Sequence, residues 1–456
     1  MKFYSKPVVE HAEVPVADDG QLEKLINSWE QRKAHPEKDI LESNRCYVIS
    51  LVDESGPSGQ LTEIMSLVRT QGDIIAGHEI VRQLRLNPRT LIGTGKLKEV
   101  AERARDAGAD LLVVDAELSP SQMRNLEDVT NLAVSDREAV ILNVFSKNAK
   151  TKRARIQVEI AHLEYLRPRI RGLGLDMDQQ AAGIASARGP GETASAMLAR
   201  KLDGRLSELK KALSKIKKTA MVQRSGRSSC KQVTLVGYTN AGKTSLMNAL
   251  TGVELSAKNR PFETLDTTTR NLSCYGGDVL LSDTVGFIRR LPERLFASFE
   301  STLEGINEAS LLVLVVDISD DEKETHLRTT LEVLSKLGAE KIPVLYVFNK
   351  TDLLTATPSS DELLKLSRGN RFICLSSHNQ DSIVLLKDAI LKAVHIDQQA
   401  TQLFVPYAAS DIFPLIYAQC RVTKSDAKKE GLLINVEGEH HILTSIKSRL
   451  SEVYNG

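Results

Sequence analysis

KQVTLVGYTNAGKTSLMNALTG, residues 231–252, is the stretch that decides the fold. The apolar, β-branched run KQVTLV leads without a break into Gly237-Tyr238-Thr239-Asn240-Ala241-Gly242-Lys243-Thr244, and SLMNALTG continues at helical spacing. Strand, glycine loop and helix in that order are the context a phosphate-binding loop requires. Gly237 and Gly242 let backbone N–H groups curl around phosphates, and the helix N-terminus adds partial positive charge. Lys243 is placed to reach the outer phosphates, and the Thr244 hydroxyl to ligate Mg²⁺.

Downstream, DVLLS, LLVLVV, PVLYVF and RFICLS are short apolar runs of the kind a parallel sheet covered on both faces demands. Their C-terminal ends carry the remaining chemistry. Asp283-Thr284-Val285-Gly286 follows DVLLS, where an acid can hold Mg²⁺ through water and the glycine N–H can meet a γ-phosphate. Asn349-Lys350-Thr351-Asp352 follows PVLYVF, and a carboxylate there accepts two N–H groups from the guanine edge that adenine does not offer. Ser376, Ser377 and His378 follow the next strand and are expected to meet the base oxygen through their backbone. Between the loop and Asp283, Phe262-Glu263-Thr264-Leu265-Asp266 and the following Thr267, Thr268, Thr269 and Arg270 form a polar stretch expected at the nucleotide. A hydroxyl of this stretch would complete the Mg²⁺ shell, and spacing alone leaves Thr264, Thr267, Thr268 and Thr269 all open. Phe287 stands where Ras-like enzymes place a water-orienting glutamine, so the spacing predicts slow intrinsic hydrolysis.

Outward from this centre the chain divides. Residues 1–43 read as a loose polar extension and 44–145 as an N-terminal α/β domain, with CYVISLV (46–52) and DLLVVDA (110–116) as buried strands. Ser119 caps a helix that opens on Pro120. Residues 146–228 form a basic helical arm and linker, with one helix broken before Pro168, a loop from Gly172 to Gly191, a second helix from Glu192 to Lys218, and MVQRSGRSSC as linker. Residues 229–397 are the GTPase domain and 398–456 a small C-terminal α/β domain. The arm holds nine Lys and ten Arg against seven acids, a net +12 within a chain whose total is +1. Such lopsidedness points to a polyanionic partner.

Five scattered cysteines, Cys46, Cys230, Cys274, Cys374 and Cys420, suit a reducing compartment better than a disulfide framework or zinc site. No apolar run approaches the roughly 18 residues of a bilayer span, and neither terminus carries a lipidation motif. The composition therefore predicts a cytoplasmic protein without membrane insertion.

With these residues in place, the chain resembles the HflX family of ribosome-associated GTPases. The marks are GYTNAGKTSLMNALTG (237–252), FETLDTTTR (262–270), DTVGFIRRLP (283–292), IQVEIAHLEYLRPR (156–169) and RGPGET (188–193). The resemblance implies that Thr264 is the second Mg²⁺ hydroxyl and that Lys243, Thr264 and Gly286 serve catalysis. It further implies a monomer with GTP and GDP as ligands, Mg²⁺ as cofactor, and the large ribosomal subunit and its ribosomal RNA as partners. Hydrolysis would be coupled to ribosome splitting, rescue or subunit assembly. The rival expectation is an RNA-binding assembly chaperone that GTP merely gates, with little stimulated turnover.

Overall fold

The computed structural model describes residues 43–52, 59–82, 86–182, 194–225, 231–252, 261–262, 268–272, 279–296, 304–356, 358–394, 398–409 and 411–455. The chain forms two compact units. One takes residues 1–219, 260–265 and 290–300, the other 220–259, 266–289 and 301–456.

The first unit opens with β1 (Arg45–Val52), α1 (Gly59–Gln71), β2 (Ile74–Arg82), α2 (Thr94–Asp106), β3 (Leu111–Val114), α3 (Pro120–Thr130), β4 (Ala133–Asp136) and α4 (Arg137–Asn148). Its four strands lie in the order β2-β1-β3-β4, all parallel. Every residue of β3 is buried, as a strand covered by helices on both faces must be. Ile49, Leu97, Leu112 and Leu126 are fully buried in its core. Ser119 caps α3 as expected, completing a reciprocal pair of bonds with Gln122, and Pro120 fills the first turn.

Two long helices follow, α5 (Lys152–Ala182) and α6 (Ala194–Ser225). Here the structure corrects the sequence. Helix α5 runs through Pro168 instead of breaking before it, and it takes in residues 172–182, which were expected in a loop. Proline removes one helical hydrogen bond and crowds the preceding turn, at a cost of about 3 kcal/mol. Packing offsets that cost: Tyr165, Leu166, Arg169 and Ile170 are all buried. Arg169 Nη2 donates to Asp136 Oδ2 at 2.8 Å and the Tyr165 hydroxyl to Asp136 Oδ1 at 3.0 Å. Helix α6 extends beyond Lys218 to Ser225, absorbing part of the expected linker. Leu198, Leu202, Leu206 and Leu209 form its buried stripe. The 188–193 segment and the extension up to residue 42 lie outside the described residues.

The second unit contains β5 (Lys231–Gly237), α7 (Lys243–Thr251), β6 (Thr268–Asn271), β7 (Val279–Asp283), β8 (Leu311–Asp317), α8 (Lys323–Lys336), β9 (Val344–Asn349), α9 (Ser360–Leu366), β10 (Phe372–Cys374) and α10 (Gln380–Val394). The sheet order is β10-β9-β8-β5-β7-β6. Strand β6 runs antiparallel to β7, and the other described pairs are parallel. After β5 the chain passes to one side (β6, β7) and then to the other (β8), so strand order reverses at β5. A crevice at the C-terminal ends of the strands belongs at that point. The same unit ends in β11 (Gln398–Pro406), α11 (Ile412–Gln419), β12 (Arg421–Ala427), β13 (Gly431–Glu439) and α12 (His440–Asn455). The antiparallel sheet β11-β13-β12 buries Val405, Ile434 and Val436 with Ile416 and Ile446 of the helices. Among the described residues no helix is long and apolar enough to cross a membrane.

Candidate active site

The phosphate loop spans the gap between β5 and α7. Gly242 caps α7 at a φ of +95°, a conformation that side chains resist, and a Cβ there would run into the Asn349 amide. Lys243 is buried, and its Nζ donates to the carbonyls of Gly237 at 3.0 Å and Tyr238 at 2.7 Å. An ammonium has three donors, so one remains for a phosphate oxygen. Burial pulls its pKa down to about 8, with the Asp283 charge acting in the opposite direction. A bound polyphosphate would restore the charged form.

Asp283, at the end of β7, is fully buried. Its Oδ2 accepts the Thr244 hydroxyl at 2.8 Å, while its Oδ1 is buried with no hydrogen-bond partner among the described residues. Burial pushes this carboxyl up, against Lys243 and the Thr244 hydroxyl. A buried carboxylate oxygen left over beside a threonine hydroxyl is the donor chemistry of a hard, oxygen-seeking cation, so the residues fit Mg²⁺. Thr284 anchors the next turn by donating its hydroxyl to the Leu235 carbonyl at 2.7 Å. Val285 is buried, and beyond Gly286 the chain lies against the loop. The Thr239 N–H donates to the Phe287 carbonyl at 2.7 Å, and the Phe287 N–H to the Gly237 carbonyl at 3.1 Å.

The segments 349–352 and 376–378 are stitched to this loop. Asn349, fully buried, donates its amide to the Ala241 carbonyl at 3.0 Å and accepts the Ser377 N–H at 3.1 Å. It therefore ties three separate stretches together and is held inside the protein. Lys350 adopts a left-handed φ of 65° and pairs with Asp317 at 2.6 Å. The Thr351 N–H donates to the Leu375 carbonyl at 3.2 Å, and the His378 N–H to the Ser376 hydroxyl oxygen at 3.3 Å. Asp352 is exposed, and the hydroxyl of Ser376 holds its carboxylate below the ordinary range.

Most of the residues singled out from sequence thus meet around one crevice: 237–244, 283–286, 349–352 and 376–378. Glu263, Thr264, Leu265, Asp266 and Thr267 lie outside the described residues. Phe262 is described, and its ring is buried edge-on against Phe145 of α4, centroids 4.6 Å apart. Its carbonyl accepts the Asn148 amide at 2.8 Å. Sequence reasoning missed Asp317, Arg289, Glu322 and His326. The pairs Asp317–Lys350, Arg289–Glu322 and Tyr238–His326 join residues far apart in the chain, which no local spacing marks.

Comparison with known proteins gives this geometry its family. Residues 58–146 match the family described as GTP-binding GTPase N-terminal, 148–227 the GTP-binding GTPase Middle Region, and 232–350 the 50S ribosome-binding GTPase. The GTPase HflX of Caldanaerobacter subterraneus subsp. tengcongensis is 33% identical over 412 residues, covering 90% of this chain and 93% of that protein. That of Gluconacetobacter diazotrophicus is 36% identical over 439 residues, covering 88% and 95%. Among solved structures, a GTP-binding protein from Sulfolobus solfataricus in complex with GDP is 22% identical, with a TM-score of 0.43, covering 77% of this chain and 98% of that one. The chain belongs to the HflX family of GTPases, and it binds and hydrolyses GTP.

Proposed function

We propose that this protein is a cytoplasmic, monomeric GTPase that binds the large ribosomal subunit and couples GTP hydrolysis to splitting or rescue of ribosomes or to subunit assembly. One observation carries the ribosomal half of this reading. The helical arm with its net +12 presents Lys211, Lys215 and Lys218 on the exposed face of α6, opposite the buried leucine stripe. Such lysines meet RNA phosphates, and contacts of this kind fix position more than sequence. The match of residues 232–350 to a ribosome-binding GTPase family supports the same partner.

At the nucleotide, Asp352 reads the guanine edge, and residues 376–378 meet the base through their backbone. The N–H groups of the loop cradle the phosphates while Lys243 spends its remaining donor on the outer ones. Thr244 and, through water, Asp283 would hold Mg²⁺, with Thr264 as the second hydroxyl over a triphosphate; the ion there neutralises charge on the phosphate oxygens. The Gly286 N–H addresses the γ-phosphate. Phe287, an apolar ring 3% exposed, has no group to orient the attacking water. Intrinsic hydrolysis is therefore slow, and a partner completes the site, an assistance that contributes ~10³–10⁵ in rate.

The test is hydrolysis by the full chain with and without purified large subunits. Acceleration by large subunits is expected. An unchanged rate despite measurable binding would replace this reading with a GTP-gated RNA-binding protein.

A further inference from the structure

Four residues close a ring beside the phosphate loop, through both side chains and main chain. Tyr238, its second residue, lies face to face with His326 of α8, centroids 3.8 Å apart and planes 11° from parallel. The Tyr238 hydroxyl accepts the backbone N–H of Arg289 at 2.9 Å. The Arg289 guanidinium grips Glu322 with both terminal nitrogens, at 3.2 and 2.6 Å. Glu322 directly precedes α8, and its carbonyl accepts the His326 N–H at 3.0 Å, which closes the ring. His326 Nδ1 stands 3.1 Å from Asp320 Oδ2, which fixes the imidazole from its other side. A two-pronged, charge-assisted pair is among the firmer side-chain contacts. Arg289 and Glu322 are only 12 and 19% exposed, so water screens theirs weakly.

What the ring encloses is the main chain that matters for hydrolysis. Between Asp283 and Arg289 the segment is drawn so close to the loop that a Cβ on Gly286 would lie 2.8 Å from the Thr239 Cα. Because Phe287 offers no polar side-chain atom and its own N–H and carbonyl are bonded to the loop, the placement of the attacking water depends on where the Gly286 main chain is held. That backbone is tied to the loop by the Phe287 carbonyl and N–H, is anchored before Gly286 by Asp283 and Thr284, and is held beyond Phe287 where Arg289 meets Tyr238 and Glu322. We infer that His326 and Arg289 are positioning residues for GTP hydrolysis, acting through Tyr238 and Glu322 to hold the Gly286–Phe287 main chain against the phosphate loop. Neither belongs to the groups assigned to phosphates, Mg²⁺ or base, so their loss falls on the hydrolytic step more than on nucleotide affinity. This rests on the assignment of Gly237–Thr244 as the phosphate loop.

The experiment uses the full chain and compares His326→Ala, His326→Phe, Arg289→Gln and the double variant His326→Ala/Arg289→Gln with wild type. Single-turnover GTP hydrolysis and GDP affinity are measured for each. A misplacement of about 1 Å can cost about 10² in rate, so a fall of about tenfold is expected for His326→Ala and for Arg289→Gln. GDP affinity should stay within about twofold, the signature of an interaction felt at the transition state. His326→Phe keeps the stack and should keep most of the rate. The double variant should fall little further than either single one, since both open the same ring. An unchanged or raised rate in His326→Ala, an equal loss of GDP affinity, or a His326→Phe variant no better than alanine would overturn the inference. Thr244→Ala separates the two levels: if it bound GDP like wild type, the loop assignment itself would have failed. If it lost GDP while His326→Ala hydrolysed normally, only the positioning role would fall.

Discussion

Asp352 stands exposed beside Ser376, whose hydroxyl stabilises its charge before any base arrives. In the proposed base-reading role, an acid so stabilised would give guanine two acceptors with little reorganisation. Asp352→Asn should therefore weaken GTP by about 10²-fold or more, since mismatched polar groups at a base-reading site are heavily penalised. Xanthosine triphosphate should gain, because its extra carbonyl accepts from the new amide. Competition binding with the two nucleotides measures both effects, and equal affinities in variant and wild type would refute the base-reading role. A second acid behaves in the opposite way. Glu138 in α4 is 5% exposed, its Oε1 has no hydrogen-bond partner among the described residues, and Arg294 is 3.9 Å away. Burial, then the charge of Asp136, push its carboxyl from the ordinary 4.5 up to about 7. The folded state thus holds a proton that the unfolded chain releases. The resulting penalty is absent below pH 4.5, grows toward pH 7 and is complete above it. Glu138→Gln should flatten that stretch of the stability profile and raise stability at pH 8 by about 1–3 kcal/mol. Urea unfolding at pH 5 and pH 8 checks it; parallel profiles for variant and wild type would show Glu138 ionised throughout.

At the scale of elements, Pro168 shows helix α5 surviving a residue that opposes it. Pro168→Ala gives the Glu164 carbonyl back its donor and should stabilise the fold by about 1–3 kcal/mol, against the ~3 kcal/mol that proline costs in a helix interior. A higher urea midpoint with unchanged slope is the expected reading, and a lower midpoint would mean that the helix needs a kink there. The same residue marks where the sequence ceased to be legible. Local signals carried the strands around KQVTLV, the cap at Ser119 and the phosphate loop, because in each the information lies within a few neighbouring residues. Helix α5 depends instead on Asp136, far back in the chain, which anchors both Tyr165 and Arg169. Strands β6 and β12 were missed for a related reason. TTRN and RVTKSDA are polar edge strands whose identity comes from the neighbour they pair with. In the candidate site, motif spacing singled out 237–244, 283–286 and 349–352. It could not reveal that Asn349 is an internal tie to Ala241 and Ser377, nor that His326 stacks on Tyr238.

Across the whole molecule, charge is divided between the arm and the rest, and the arm spends part of its own. Lys210 is paired with Glu164 at 2.7 Å and Arg205 with Glu159 at 2.8 Å. Lys211, Lys215, Lys217 and Lys218 have no such ion pair among the described residues, so in the proposed RNA contact they are the lysines left for phosphates. Each phosphate neutralised contributes a slope of roughly −0.7 to −0.9 in log K against log salt. Replacing these four lysines by Gln should flatten the salt dependence of large-subunit binding by about two to three such increments, with GTP affinity intact. Lys210→Gln alone should change it little. Parallel salt lines for the four-site variant and wild type would place RNA binding elsewhere. Phe262 carries a different consequence. Residues 260–265 and 290–300, though they interrupt the stretch that folds around GTP, belong to the same compact unit as α4, where Phe262 meets Phe145 and Asn148. The chain therefore passes back and forth between its units, and no single cut parts one from the other. Recombination feels this most: a chimaera that took residues 231–394 from one relative and everything before them from another would set a foreign Phe262 on a foreign α4. Phe262 has to be inherited with the α4 against which it packs.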